Sequence, residues 1–156
     1  NSQFTRSDLS GANLRGATLN EANFSQAEMV GTTLDEASML RTNLRGTRLT
    51  GASLKGANLR NAILQNADVH DADFSATQLG GADFTNARAE RARFDEADLQ
   101  RANLRAAKLS GASFVGANLQ GANFTRAQLT DADLTGANIE QAIFLNAQTE
   151  GCKGCP

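Results

Sequence analysis

The feature that most constrains this chain is a repeat of five residues. A large residue, almost always apolar, recurs at positions 4, 9, 14 and onward to 149, and the residue two positions earlier is small throughout. In "SGANLRGATLNEANF", for example, Ala12 precedes Leu14 and Ala22 precedes Phe24. A repeat that runs through a whole chain decides its architecture before any other feature. We therefore interpret residues 1–149 as one repeat domain and residues 150–156, "EGCKGCP", as a C-terminal tail or cap.

A period of five fits neither a helix nor a continuous strand. Around a helix, successive large residues would lie about 140° apart and form no apolar stripe. A strand alternates its faces every two residues, and five is odd. A three-residue extended segment followed by a two-residue corner directs both the small and the large residue inward. If each corner turns the chain by about a right angle, about seven coils of roughly 20 residues stack at the inter-strand spacing.

The phenylalanines give an independent check on this geometry. Numbered in chain order, the large residues fall on four faces, and every Phe lies on the first or the third face, which are opposite. Ala89, the one small internal residue in a large slot, lies between Phe84 and Phe94, and we interpret it as compensation for their volume. Four small slots hold Thr, whose buried hydroxyls we expect to bond backbone carbonyls. They are Thr32, Thr42, Thr47 and Thr77.

The corners carry a second signal. Most of the glycines lie two residues after the large residue, and Asn61, Asn66, Asn86 and Asn146 share that slot. Gly and Asn tolerate the positive φ that a type II turn requires at its third residue. Other residues occupy the slot in the middle coils, where we expect a different type of turn. These are Ala76, Arg91, Glu96, Arg101 and Ala106.

The repeat unit resembles that of the pentapeptide repeat proteins. The pattern A-[DN]-[LF]-x-[GNx] recurs as "GANLR", "DADFS", "GANFT" and "DADLT", and the resemblance covers residues 2–149. It implies an all-β fold, the right-handed quadrilateral β-helix of that family, and the handedness comes from the resemblance alone. Members abound in cyanobacteria and chloroplasts, some in the thylakoid lumen. The resemblance therefore implies a structural or protein-interaction rod with an unknown protein partner.

Net charge distinguishes the interaction rod from the alternative function, a DNA mimic. With 15 basic and 17 acidic residues, the formal charge of −2 predicts neither nucleic-acid binding nor strong DNA mimicry. Family members that mimic DNA and bind DNA gyrase have a strongly negative rod, whereas here Arg93 lies between Asp73 and Asp133 on one face. A DNA-mimic modulator of gyrase is therefore the alternative function. No apolar stretch approaches the length of a membrane span, so we expect no membrane insertion.

The sequence offers no set of catalytic residues. The only histidine, His70, occupies an outward slot and is interpreted as a solvated side chain. No nucleophile, base and orienting group can be assembled from the spacing. Since side chains fill the interior, we expect no substrate cavity. We predict that the chain is not an enzyme and that it uses neither a cofactor nor a metal.

Charged residues concentrate in the segment from residue 88 to residue 108. A salt-bridged, solvated surface is the preferred interpretation, because acidic residues such as Glu90, Asp95 and Glu96 are interspersed with the basic ones. The alternative is a patch that docks a partner. Its basic residues would be Arg88, Arg91, Arg93, Arg101, Arg105 and Lys108.

Cys152 and Cys155 form a lone C-x-x-C pair. Without a second cysteine pair, and with His70 about four coils away, the spacing argues against a four-ligand zinc site. We prefer a disulfide that pins the terminal turn, which indicates an oxidising compartment. Together with the resemblance to lumenal family members, this pair implies the thylakoid lumen or the periplasm. Free thiols in a cytoplasmic protein are the alternative.

The two ends of the rod need cover. An open coil exposes strand edges and core side chains, so we expect further residues or self-association to cover Phe4 and Leu9. Ile143 and Leu145 flank Phe144 in the last coil, and we expect the tail or a second chain to cover them. End-to-end association of copies is predicted on this ground.

Overall fold

The structure is a computed structural model, and it describes residues 2–156. Over that range the backbone forms no helix and no strand longer than one residue. Instead, one residue in every five, from Gln3 to Lys153, forms a parallel β-bridge, and the partners are always 20 positions apart, as in Asp73 and Arg93. This is the register that the period of five predicts. It continues beyond residue 149, since Lys153 bridges Asp133.

Between the first and last coils, regular backbone hydrogen bonds join each repeat to the coils on both sides. The N–H of Phe74 donates to the carbonyl of Arg93 at 2.7 Å, and the N–H of Asp73 donates to the carbonyl of Ala52 at 2.9 Å. The corner N–H of Ala76 donates to the next coil as well, at 2.8 Å from the carbonyl of Asp95. Stacking of coils thus satisfies backbone polar groups that burial would otherwise leave without partners.

One type of turn serves every corner. The N–H of the small residue donates to the carbonyl of the large residue three positions earlier, as from Ala12 to Leu9 at 3.0 Å. The third residue of each turn has a φ between 54° and 70°, from Arg6 to Gly151, which is the type II signature.

The expectation of different turns in the middle coils is therefore wrong. The five residues concerned have φ values of 55° to 58°, close to those of the glycine corners. The hydrogen bonds and the buried side chains on either side of the corner fix its backbone, and they outweigh the roughly 1–2 kcal/mol that a residue with a Cβ loses there. The residues are Ala76, Arg91, Glu96, Arg101 and Ala106.

The interior is filled from Ala22 to Leu134 by the small and the large residues, all of them buried. The rings of Phe74, Phe94 and Phe114 stack along the rod axis, with centroid distances of 5.0 and 4.8 Å and nearly parallel planes. Phe84, on the opposite face, meets Phe74 and Phe94 edge-on at 5.9 and 5.7 Å. The predicted arrangement of phenylalanines on two opposite faces is confirmed.

The packing around Phe84 refines the interpretation of Ala89. Leu79 lies between Phe74 and Phe84 in the chain, so one edge-on pair tolerates a leucine on the intervening face. Phe84, however, meets a second ring, Phe94, on its other flank, and Ala89 is the buried residue on that face. A small residue is therefore needed where one ring contacts two others across the core.

The four buried threonines bond backbone carbonyls, as predicted. The hydroxyls of Thr32, Thr42 and Thr47 donate to carbonyls of the preceding coil at 2.9 to 3.0 Å. The hydroxyl of Thr77 donates instead to the carbonyl of Phe74 within its own turn, at 2.5 Å. Each hydroxyl thus has a partner inside the core, as burial requires.

Candidate interaction surface

The stacked coils give the rod four sides, which we number by their first large residues: Phe4, Leu9, Leu14 and Leu19. Because bridged residues lie 20 positions apart, each outward position forms a column along the rod. An outward side chain can therefore be placed by its number alone. The columns show which of the six basic residues of the predicted partner-docking patch are neighbours.

Three of those residues are engaged in ion pairs around the corner between the second and third sides. Arg91 makes two hydrogen bonds to the carboxylate of Asp71, at 2.8 and 2.7 Å. Arg93 pairs with Asp95 at 3.1 Å, and Arg88 lies 3.6 Å from Asp68. The hydrogen bond from Arg91 lowers the pKa of Asp71 below its ordinary value. This part of the segment is the salt-bridged surface that was the preferred interpretation.

The other three predicted residues lie elsewhere. Within residues 2–156, Arg101, Arg105 and Lys108 have no carboxylate within 4.0 Å. Arg101 occupies the corner between the fourth and first sides. Arg105 lies at the corner between the first and second sides, and Lys108 lies beside it on the second side. The six basic residues therefore do not form one surface.

Arg126 joins Arg105 and Lys108, because it stacks one coil above Ala106 at the same corner. All three side chains are exposed. We call Arg105, Lys108 and Arg126 the cationic edge. Sequence analysis missed Arg126 because it lies outside the charge-rich segment, although stacking at a spacing of 20 could have placed it.

Two exposed apolar residues adjoin the cationic edge. Leu145 stands in the corner column of Arg105, and its side chain is 62% exposed. Ile143 lies next to that corner on the first side and is 48% exposed. We call them the terminal apolar pair. The expectation that the tail covers them is wrong, because the tail continues over the third side, where the carbonyl of Lys153 accepts a hydrogen bond from the N–H of Leu134 at 2.7 Å.

The tail is closed by a disulfide between Cys152 and Cys155, both of them partly buried. Between them, Gly154 has a φ of 74°, and a Cβ at that position would lie 2.7 Å from the carbonyl oxygen of Leu134. Only glycine can make this close contact with Leu134. The turn inside the disulfide loop and the hydrogen bond from the N–H of Leu134 to Lys153 therefore both depend on Gly154.

Aspartates on the outward faces show why Asp and Asn so often precede the large residue. Each accepts a hydrogen bond from the N–H two residues later and so fixes the corner, as Asp83 does from Thr85 at 3.0 Å. For Asp83, burial is the largest influence on the pKa and raises it. Hydrogen bonds from the hydroxyl of Thr85 and from Gln65, both at 2.6 Å, contribute to the opposing influences that together lower the pKa. Asp73 has a lowered pKa for the same reason, with hydrogen bonds from Ser75 and Lys55 opposing its burial.

His70 is not the unpartnered, solvated side chain that the sequence predicts. Its Nδ1 lies 2.5 Å from Oδ1 of Asp68, and the hydroxyl of Thr50 lies 3.4 Å from the same nitrogen. Asp68 precedes His70 by two residues, which is the same spacing that places Asp83 beside Thr85. In the described part of the chain, no three His, Cys, Asp or Glu side chains are grouped so that they could hold a metal ion.

The corner between the first and second sides also carries an open polar groove of about 420 Å³. Arg45 is the one ionisable residue in its lining. The arrangement supplies hydrogen bonds and one positive charge, but no acid–base pair. Its lining consists of Ser25, Gln26, Asn43, Arg45, Gly46 and Asn66.

Comparison with known proteins identifies the repeat. The family model described as "Pentapeptide repeats (8 copies)" matches residues 2–41, 37–75, 72–111 and 107–146. The chain belongs to the pentapeptide repeat family. Pentapeptide repeat proteins fold as right-handed quadrilateral β-helices, which agrees with the 20-residue register found here.

Solved structures of other pentapeptide repeat proteins are similar. HetL of Nostoc sp. strain PCC 7120, involved in regulation of heterocyst differentiation, is 31% identical over 97% of this chain and 84% of its own, with a TM-score of 0.48. A trypsin-treated form of QnrB1, a plasmid-mediated fluoroquinolone resistance protein, is 25% identical over 97% and 79%, with a TM-score of 0.57. A thylakoid-lumen protein of Arabidopsis thaliana is 28% identical over 77% and 66%, with a TM-score of 0.28. No curated protein matches the chain, and residues 2–156 contain no helix long and apolar enough to cross a membrane.

Proposed function

We propose that this chain is a rod of about seven coils that binds other proteins and catalyses no reaction. Pentapeptide repeat proteins are generally structural or interaction proteins without enzymatic activity. The observation that carries the proposal is the contrast between a core filled from Ala22 to Leu134 and a surface that leaves the cationic edge unpaired beside the terminal apolar pair. A filled core provides no site for turnover, whereas unpaired cations beside exposed apolar side chains are typical of a docking surface.

The docking function can be tested with photo-crosslinking residues at four outward positions, one on each corner of the rod: Gln120, Thr125, Thr130 and Thr135. Each variant is expressed in the native cells and irradiated, and adducts are detected by a mass shift. A discrete adduct from at least one corner is the expected result. The absence of an adduct at all four corners, with the protein folded and abundant, would contradict the proposal.

An oxidising compartment, the thylakoid lumen or the periplasm, is the location we propose. The disulfide between Cys152 and Cys155 supports it, because structural disulfides persist where thiols are not kept reduced. The alternative is a cytoplasmic protein with two free thiols. Alkylation of cysteines during lysis separates the two: we expect no labelled thiol before reduction and two after it, and labelling without reduction would favour the cytoplasm.

Modulation of DNA gyrase by DNA mimicry is the second candidate. The structural similarity to the fluoroquinolone resistance protein QnrB1, with a TM-score of 0.57, favours it. The balanced charge and the exposed cations at Arg105, Lys108 and Arg126 oppose it, because a mimic of DNA needs a continuous negative surface. A supercoiling assay should show no inhibition by this chain, and inhibition at stoichiometric protein would instead identify gyrase as the partner.

A further inference from the structure

We propose that the cationic edge and the terminal apolar pair together bind an acidic, amphipathic segment of a partner protein. This inference rests on the proposed docking function and names the class of partner. The surface consists of Arg105, Lys108, Arg126, Ile143 and Leu145.

Charge is the first argument. At several other places on the rod, stacked columns bring a cation beside a carboxylate: Arg41 lies 2.8 Å from Glu21, and Arg48 lies 3.0 Å from Glu28. Around the cationic edge the columns continue with Asn, Thr and Gln, for example Thr125. In the three stacked segments 103–110, 123–130 and 143–150, the one carboxylate is that of Glu150. Within residues 2–156, none of the three cations has a carboxylate within 4.0 Å, so a partner that supplies carboxylates would complement them.

Rigid apolar surface is the second argument. Leu145 and Ile143 have the highest exposures among the large apolar side chains described. The carbonyl of Leu145 accepts a hydrogen bond from the N–H of Arg126 at 2.9 Å, and that of Ile143 accepts one from the N–H of Phe124 at 2.7 Å. The cations and the apolar pair are thus fixed to one another by the ladder, so that binding orders little backbone.

The size and chemistry of the surface favour a polypeptide segment. Arg105, Arg126 and Leu145 lie in successive coils, so the surface extends roughly 10 Å along the rod at the inter-strand spacing. That length corresponds to about two turns of a helix. A nucleic acid would pair with the cations but would leave the apolar pair exposed, whereas a segment with carboxylates on one face and apolar side chains on the other engages both parts.

The probe is a synthetic amphipathic helical peptide with Glu on one face and Leu on the other, labelled for fluorescence anisotropy. Two matched peptides replace every Glu by Gln or every Leu by Ser. We expect the Glu/Leu peptide to bind more tightly than either matched peptide, and to bind more weakly as added salt screens the exposed charges. Equal binding of the Gln peptide would overturn the proposal.

Variants of the chain locate the binding site. Arg105→Glu with Arg126→Glu should weaken binding about tenfold or more, since two attractive contacts become repulsive. Leu145→Ser should weaken it about threefold to tenfold through lost apolar burial. The matched control, Arg60→Glu with Arg101→Glu, reverses two exposed cations at the corner between the fourth and first sides and should leave binding unchanged.

Three further outcomes would overturn the proposal. They are an equal loss in the control variant, tighter binding of duplex DNA with the same dependence on Arg105 and Arg126, and self-association through these residues in sedimentation velocity. A protein adduct formed from Thr130, Thr135 or Gln120, together with unchanged peptide binding in the Arg105 and Arg126 variant, would remove this assignment and leave the docking function intact.

Discussion

The middle of the rod and its two ends have the same repeat but different environments. Phe24 is fully buried, whereas Phe4, which stacks on it at 4.8 Å, is only partly buried. At the other end, Phe144 stacks on Phe124 at 4.9 Å and is again only partly buried. The pentapeptide specifies which side chains point inward, but burial comes from having a coil on both sides.

The same contrast holds for the backbone. In the middle, the N–H of Phe94 donates to the carbonyl of Ser113 at 2.7 Å, and each neighbouring coil repeats that bond. In the last coil, the N–H groups of Ile139 and Phe144 have no backbone acceptor within the described chain. Stability should therefore be cooperative in the middle and local at the ends, and substitutions in the two regions can test this.

The largest expected effect is the loss of a ring from the middle. Phe94→Ala removes a side chain that contacts Phe74, Phe114 and Phe84, and we expect it to lower the free energy of unfolding by about 3–5 kcal/mol. Phe4→Ala, the matched change at an end, should cost about 1–2 kcal/mol because the ring is already partly solvated. Urea unfolding followed by circular dichroism measures both, since the chain lacks Trp and Tyr. Equal losses would show that the ends are as well packed as the middle.

Removal of the disulfide should have a smaller and more local effect. Replacing Cys152 and Cys155 by Ser opens a short loop. From the loop-closure entropy, we expect the free energy of unfolding to fall by about 2 kcal/mol. We expect faster hydrogen exchange at the N–H of Leu134, which bonds Lys153, and unchanged exchange at the N–H of Phe94. Reduction of the unmodified protein serves as a control and should reproduce the result. A fall in the global unfolding midpoint as large as that of Phe94→Ala would contradict a local role.

The middle of the fold could be read from the sequence because every repeat carries the same information. Spacing alone placed the register, the phenylalanine faces and the bonded threonines. The turns at Ala76 and Arg91 were mispredicted, because tertiary hydrogen bonds override the preference of a single residue for negative φ. The candidate surface was harder to predict, since Arg105 and Arg126 become neighbours only after the columns are laid out, and exposure of Leu145 depends on the path of the tail.

Acid should weaken the middle through carboxylates whose pKa is lowered. Asp83 has a lowered pKa in the folded chain, so its contribution is complete above the ordinary pKa of about 3.9 and is lost as the pH falls through the lower folded value. We expect the urea midpoint to decrease below about pH 4. The decrease should be smaller in Asp83→Asn, at a cost of about 1 kcal/mol at neutral pH. Asp8→Asn, in the open first coil, is the control and should leave the urea midpoint unchanged at neutral and at acid pH. If the urea midpoint of Asp83→Asn fell with pH as much as that of the unmodified protein, Asp83 would be ruled out as a source of acid sensitivity.

The smallest expected effect tests whether corners in the middle are strained. Ala76 and Gly56 stand in the same corner column with φ values of 56° and 65°. Ala76→Gly relieves a left-handed conformation and should stabilise the rod by about 0.5–1 kcal/mol, after the larger entropy that Gly loses on folding. Gly56→Ala should destabilise it by about 1 kcal/mol through φ alone, because the nearest atom to a new Cβ, Cγ of Glu36, would be 3.9 Å away. If Ala76→Gly were destabilising, the corner would not be strained, and the middle coils would owe their regular turns to local preference rather than to their neighbours.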